Sequence, residues 1–141
     1  MELRRLVPED AEAACALYLE LTRSRKVAPP EHFARVLAHP GTTVCGAFTG
    51  VTLAGMATLH IMPNMTYGGQ PYALIENVVT ARSHQGQGVG RAVLARLVET
   101  AWAADAYKIM LLTGTARGAQ GFYRKAGFDD TDKHGMVLRR P

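Results

Sequence analysis

One segment constrains this chain more than any other: Gln85-Gly86-Gln87-Gly88-Val89-Gly90, set between a strong strand signal and a long helical stripe. The residues before it, Tyr72 to Thr80, carry the run Ala-Leu-Ile-Glu-Asn-Val-Val, which reads as a β-strand. After it, Val89, Val93, Leu94, Leu97, Val98, Ala101 and Trp102 keep i, i+4, i+8 spacing, which predicts a helix with one buried stripe from Val89 to about Ala104. Glycines at 86, 88 and 90 permit a tight turn and close approach of backbone to a ligand. The first N–H groups of the helix lack intrahelical partners and carry the positive end of its dipole. A strand, a glycine turn and a helix start in that order suit an anion such as a pyrophosphate. Arg82, His84 and Arg91 are near enough in sequence to add charge.

Two familiar phosphate loops do not fit. A dinucleotide fingerprint, counted from Gly86 and Gly88, needs glycine where Arg91 stands. A Walker loop needs Gly-Lys followed by Ser or Thr, which is absent. What remains is Gln/Arg-x-x-Gly-x-Gly/Ala after a strand, met by Gln85, Gly88 and Gly90.

The rest of the chain supplies a frame. Leu3 to Leu6 reads as a short strand. Pro8-Glu9-Asp10 then opens a helix to about Leu21, with acids at the positive dipole end. Arg23 to Pro30 is a break, and Glu31 to Ala38 is a second helix stopped by His39-Pro40-Gly41. Thr43 to Phe48 and Leu53 to Ile61 form a hairpin around Thr49-Gly50, and Pro63 to Pro71 is a loop. Lys108 to Thr113 is a further strand, Ala116 to Ala126 a short helix ending at Gly127, and Phe128 to Arg139 one or two closing strands. Three strands in succession predict antiparallel pairing. The strand–helix–strand unit from Tyr72 to Thr113 predicts one parallel pair. The expected architecture is α/β: a mixed, mostly antiparallel central sheet flanked by about four helices.

The totals narrow the function classes. At 141 residues the chain fits a single domain, 1–141, and 48% hydrophobic content is enough for a core behind a sheet. The net charge of +4 is scattered rather than gathered into a dense stripe with aromatics, which argues against nucleic acid and suits an anionic small ligand. No run approaches membrane-spanning length, so no membrane partner and a cytoplasmic setting are expected. Cys15 and Cys45 are isolated. They read as reduced core residues rather than metal ligands or a nucleophile, and no metal is expected.

The stretch Leu74 to Phe128 resembles the GNAT superfamily of N-acetyltransferases. Val78-Val79-Thr80 followed by Gln85 to Gly90 resembles its coenzyme-binding motif, and Phe122-Tyr123-Arg124-Lys125-Ala126-Gly127-Phe128 resembles its F-Y-x-x-x-G-F motif. The element order agrees along nearly the whole chain. The resemblance implies a GNAT-like fold, acetyl-CoA as co-substrate and direct transfer of its acetyl group to a primary amine of a small molecule. It places the pyrophosphate on the backbone of Gln85, Gly86, Gln87, Gly88, Val89 and Gly90, with Arg91 near. It places the pantetheine arm along Val78, Val79 and Thr80, and brings Lys125 to the nucleotide phosphates. Tyr123 matches the tyrosine that faces the sulfur, where a phenol is still a donor at neutral pH. Glu76 stands where similar enzymes carry the acid that accepts the amine proton. Ala116 stands where many members have an asparagine that binds the pantetheine arm.

Each residue keeps a plainer alternative. The glycines serve equally as a tight turn, Glu76 as a structural acid paired with an arginine, and Tyr123 as a core aromatic. His60 reads as structural rather than catalytic. The run Arg23-Ser24-Arg25-Lys26 reads as a solvated loop, or as a basic border favouring an acceptor with phosphate or carboxylate. Ile75 to Val79 and Tyr107 to Leu111 resemble glucosamine-phosphate acetyltransferases; an aminoglycoside, polyamine, amino acid or peptide acceptor stays open. A different class, a non-catalytic acyl-CoA-binding sensor, fits Ala116. The loop Met62 to Pro71 and the terminal strand would suit a homodimer.

Overall fold

A computed structural model describes all residues, 1–141. Glu2–Arg5 is strand β1, and Pro8–Asp10 makes a 3₁₀ turn that runs into helix α1, Ala11–Leu21. Asp10 locks this junction. Its carboxylate accepts the Val7 N–H at 2.8 Å and both Arg4 guanidinium nitrogens at 2.7 and 2.8 Å. Helix α2, Glu31–Ala38, buries Phe33 and Leu37, one turn apart.

Strands β2, Thr42–Thr49, and β3, Thr52–Met62, form the expected hairpin, paired from Thr42 opposite His60 to Thr49 opposite Thr52 with a register shift between Ala47 and Phe48. Seven consecutive residues of β3, Leu53 to Leu59, are buried, so the usual in–out alternation is missing. The reason is that both faces are covered. Leu6, Ala14, Leu17, Phe33, Leu37, Val44 and Met56 form a core cluster on the side of α1 and α2. Helix α3, Val89–Ala103, packs on the other side through Val89, Val93, Leu94, Leu97 and Ala101.

Strand β4, Tyr72–Thr80, precedes α3, and β5, Ile109–Met110, follows it. The sheet order is β1-β2-β3-β4-β5, antiparallel except for the β4–β5 pair. The expected mixed sheet with one parallel pair is thus observed. No helix is long and apolar enough to cross a membrane.

Four expectations change. The strand expected over Lys108 to Thr113 is only two residues long, because it pairs with Ala73 and Leu74 alone. The helix expected over Ala116 to Ala126 is broken by Gly118 at φ +67° into a 3₁₀ turn, Thr115–Arg117, and helix α4, Gln120–Lys125. The tail holds no strand: Met136, Val137 and Leu138 stay exposed and take no ladder partner. Trp102, expected in the buried stripe of α3, is 52% exposed, since it lies about 100° round the helix from Ala101, which holds the buried position.

The chain forms two compact units, Met1–Met110 and Leu111–Pro141. The first holds the sheet and α1 to α3. In the second, α4 is followed by a turn in which Arg124 pairs with Asp130.

Candidate functional site

The glycine turn has the form expected of it. After a 3₁₀ turn at Arg82–His84, Gly86 and Gly88 adopt φ of +76° and +81°, and Gly88 caps α3. A β-carbon at either glycine would touch nothing within 4 Å. The left-handed backbone, rather than shortage of room, is what selects glycine here. The Gln87 side chain donates to the Ser83 carbonyl at 3.0 Å and braces the loop. The first backbone bond of the helix runs from Ala92 N–H to Gly88 O at 3.0 Å. The N–H groups of Val89, Gly90 and Arg91 therefore have no acceptor within the helix. Gln85, Gly86, Gln87, Gly88 and Arg91 are exposed, whereas Val89 is buried. The helix start is seated on β3 by a close approach: a β-carbon at Gly55 would lie 2.7 Å from Val89 Cγ1 and 2.9 Å from the Val79 carbonyl oxygen.

Strand β4 leads into this turn with one free edge. Its pairing with β5 ends at Leu74, so from Ile75 to Thr80 that edge has no strand neighbour. On its other edge the register with β3 slips between Met56 and Thr58. Asn77 and Val78 stand against Ala57 alone, and Asn77 takes φ +54°. This is a β-bulge, which breaks the ladder and bends the strand. Val79 and Thr80 then pair again with Met56 and Gly55.

Asn77 also borders two hollows. One, about 300 Å³, is walled by Tyr18, His32, Phe33, Thr58 and His60. The other, about 280 Å³, shares Tyr18 and Ala28 with it and reaches Lys26. Burial pushes the Tyr18 phenol and the Cys15 thiol up from their ordinary values, so both stay protonated and neutral. Cys45 is shifted the same way by burial. Thr58 Oγ1 is buried and makes no hydrogen bond of good geometry, even though the Tyr18 hydroxyl is close enough to influence it.

The residues expected from sequence fall into two groups. Glu76, Val78, Val79, Thr80 and Gln85 to Arg91 all lie in the first unit, on β4 and the start of α3. Glu76 is half-buried, sits opposite Thr58 in the ladder, and has no ion pair or side-chain hydrogen bond. It lines neither hollow. Of the basic run, Lys26 borders a hollow while Arg23 and Arg25 do not.

Tyr123 and Lys125 lie on α4 in the second unit. There the spacing Tyr-x-x-x-Gly-Phe is a helix stop. Gly127 N–H donates to Arg124 O at 3.0 Å and Phe128 N–H to Tyr123 O at 3.1 Å, with Gly127 at φ +94°. That pair of bonds is a Schellman motif, and its usual apolar contact is the Tyr123–Phe128 ring pair, with centroids 6.1 Å apart. Ala116 is exposed in the 3₁₀ turn that opens the unit.

Sequence reasoning missed Tyr18 and His32, and set His60 aside. The signal available was Thr58 and His60, two polar residues at i, i+2 in an otherwise apolar strand. That pattern places both on one face of β3.

Comparison with known proteins agrees with this fold. The chain matches the family model described as Acetyltransferase (GNAT) family over residues 6–128. It is 31% identical over 133 residues to a glucosamine 6-phosphate N-acetyltransferase of Trypanosoma brucei brucei, a match covering 91% of this chain and 88% of that protein. A solved putative acetyltransferase from Agrobacterium tumefaciens superposes with a TM-score of 0.93 at 38% identity, covering 99% of this chain and 100% of that one. The glucosamine-6-phosphate N-acetyltransferase of Arabidopsis thaliana shares the fold, with a TM-score of 0.83 at 19% identity over 97% of each chain.

Proposed function

Because this chain belongs to the GNAT family of acetyltransferases, we propose that it transfers the acetyl group of acetyl-CoA to a primary amine of a small molecule, with both substrates bound together. The observation that carries the reading is the free edge of β4 running directly into the glycine turn at the start of α3. Three N–H groups without helical acceptors, open space beside Gly86 and Gly88, and exposed Arg91 fit a pyrophosphate. Backbone groups of Val78 to Thr80 on the free edge fit an amide-bearing arm laid alongside as an added strand. Acetyl-CoA, when bound, supplies an activated thioester. The N–H of Val78 or Val79 polarises its carbonyl. Glu76, with no ion-pair partner, accepts a proton from the amine. Tyr123 protonates the departing sulfur, a role that rests on its motif. Lys125 is assigned to the nucleotide phosphates on the same basis.

The first acceptor to try is glucosamine 6-phosphate, the substrate named for the Trypanosoma relative, with Lys26 beside the smaller hollow as a partner for its phosphate. A thiol-release assay across amino sugars, aminoglycosides, polyamines, amino acids and peptides tests the reading. Tyr123→Phe and Glu76→Gln are each expected to lower kcat about 100-fold while acetyl-CoA binding persists. Wild-type kcat in both would overturn these two roles. The exposed Ala116 keeps a second reading, a non-catalytic acyl-CoA sensor, which would bind acetyl-CoA yet release thiol with no amine.

A further inference from the structure

Thr58 and His60 stand two residues apart on β3, and both wall the larger hollow between α1, α2 and the sheet. Thr58 is 2% exposed, and its Oγ1 stands near the Tyr18 hydroxyl without a hydrogen bond of good geometry. A polar group entering the hollow would offer that hydroxyl a well-aligned bond. No carboxylate lines the hollow, and the half-buried Cys15 and Tyr18 keep their protons.

His60 is held from the other side. Its Nδ1 lies 2.9 Å from Thr42 Oγ1, and the same hydroxyl lies 3.0 Å from His39 Nδ1. Thr42 is 3% exposed, whereas His39 is exposed at the end of α2. A hydroxyl donates one proton and accepts on its lone pairs. Two arrangements satisfy this chain: His39 donating to Thr42 and Thr42 to His60 Nδ1, or His60 carrying its proton on Nδ1 and donating it to Thr42, which in turn donates to His39; the proposal takes the second. That arrangement leaves the Nε2 lone pair of His60 free, on a ring that lines the hollow.

We propose that this hollow receives the acceptor amine, a compact primary amine with a neighbouring hydroxyl, and that His60 removes the first of its two protons. This rests on the acetyl-transfer reading. The amine arrives as an ammonium ion, and His60 Nε2 takes one proton from it. The freed lone pair forms the C–N bond as the C–S bond breaks. The nitrogen then gives up its second proton to Glu76, opposite Thr58 in the ladder, while Tyr123 gives a proton to the departing sulfur and regains one from solvent. The imidazolium returns its proton to solvent when product leaves, so each turnover releases one proton net. Thr42 and His39 are positioning residues that fix the tautomer and stabilise the imidazolium. Thr58 Oγ1 meets the neighbouring hydroxyl.

Two measurements on the full chain test this. Long-range proton–nitrogen spectra should show His60 protonated on Nδ1 with Nε2 bare, and Thr42→Val should abolish that preference. With glucosamine 6-phosphate, or the best acceptor in the panel, His60→Gln should lower kcat about 100-fold and leave the acetyl-CoA KM within about twofold. Activity of His60→Ala should be partly restored by added imidazole, which a structural role would not allow. Thr42→Val should lower kcat about 10-fold. If His60→Gln does not fold, the wild-type tautomer and the imidazole response of His60→Ala decide. A proton on Nε2 in the wild type, or unchanged kcat in His60→Gln, overturns the proposal. Absence of thiol release from the wild type with every amine sinks the acetyl-transfer reading, and this proposal with it.

Discussion

Thr58 shows how a single side chain can be wrong for stability and right for a site. Its hydroxyl is buried near the Tyr18 hydroxyl but without a hydrogen bond of good geometry, and a buried group left unsatisfied costs about 1–3 kcal/mol. Thr58→Val, nearly isosteric, is therefore expected to raise the unfolding free energy by about 1 kcal/mol in urea titrations, while raising the acceptor KM. A destabilised variant would mean that the hydroxyl has a partner in solution. Asp10 is the opposite case. The hydrogen bond from Arg4, and then the Val7 N–H, hold its carboxyl below the ordinary carboxylate value. The folded pKa is depressed, so the stabilisation is complete above the unfolded value and is lost as pH falls through the folded one. Asp10→Asn should cost about 1–2 kcal/mol at neutral pH, a difference that shrinks in acid. A constant difference down to about pH 2 would show that packing rather than charge is responsible. Asp10 was visible in sequence as an acid beside a helix start. Its partner Arg4 was not, because nothing local says that β1 runs beside that turn.

At the scale of elements, local rules succeeded where an element decides its own state. Strand β4, helix α2 and the extent of α3 follow from apolar spacing and stop signals that act within a few residues. The motif Tyr123 to Phe128 belongs with them, because its spacing builds a complete helix cap. Gly127→Ala should cost about 1 kcal/mol, since alanine at positive φ is strained. An unchanged melting temperature would show that the cap adds no stability. Expectations failed where a partner decides. The strand after α3 is as long as its ladder with Ala73 and Leu74, and no longer. Met136, Val137 and Leu138 have β propensity but no edge to pair with, so they form no strand.

Over the whole molecule, burial is concentrated in the hairpin of β2 and β3, which is covered on both faces. Native-state hydrogen exchange should find the slowest amides there, and fast exchange through residues 128–141, which are mostly exposed and carry no ladder. Uniform protection along the chain would contradict this. The sequence by itself determined the order of elements, the mixed sheet, the glycine turn at the start of α3 and the cap of α4. Each depends on spacing, backbone preference or a stop signal acting over a few residues. Only the tertiary structure decided that β4 keeps a free edge beyond Leu74, that Asn77 bulges beside two hollows, and that His60 is tied through Thr42 to His39. Those arrangements join residues far apart in the chain, through register and packing that no local pattern encodes.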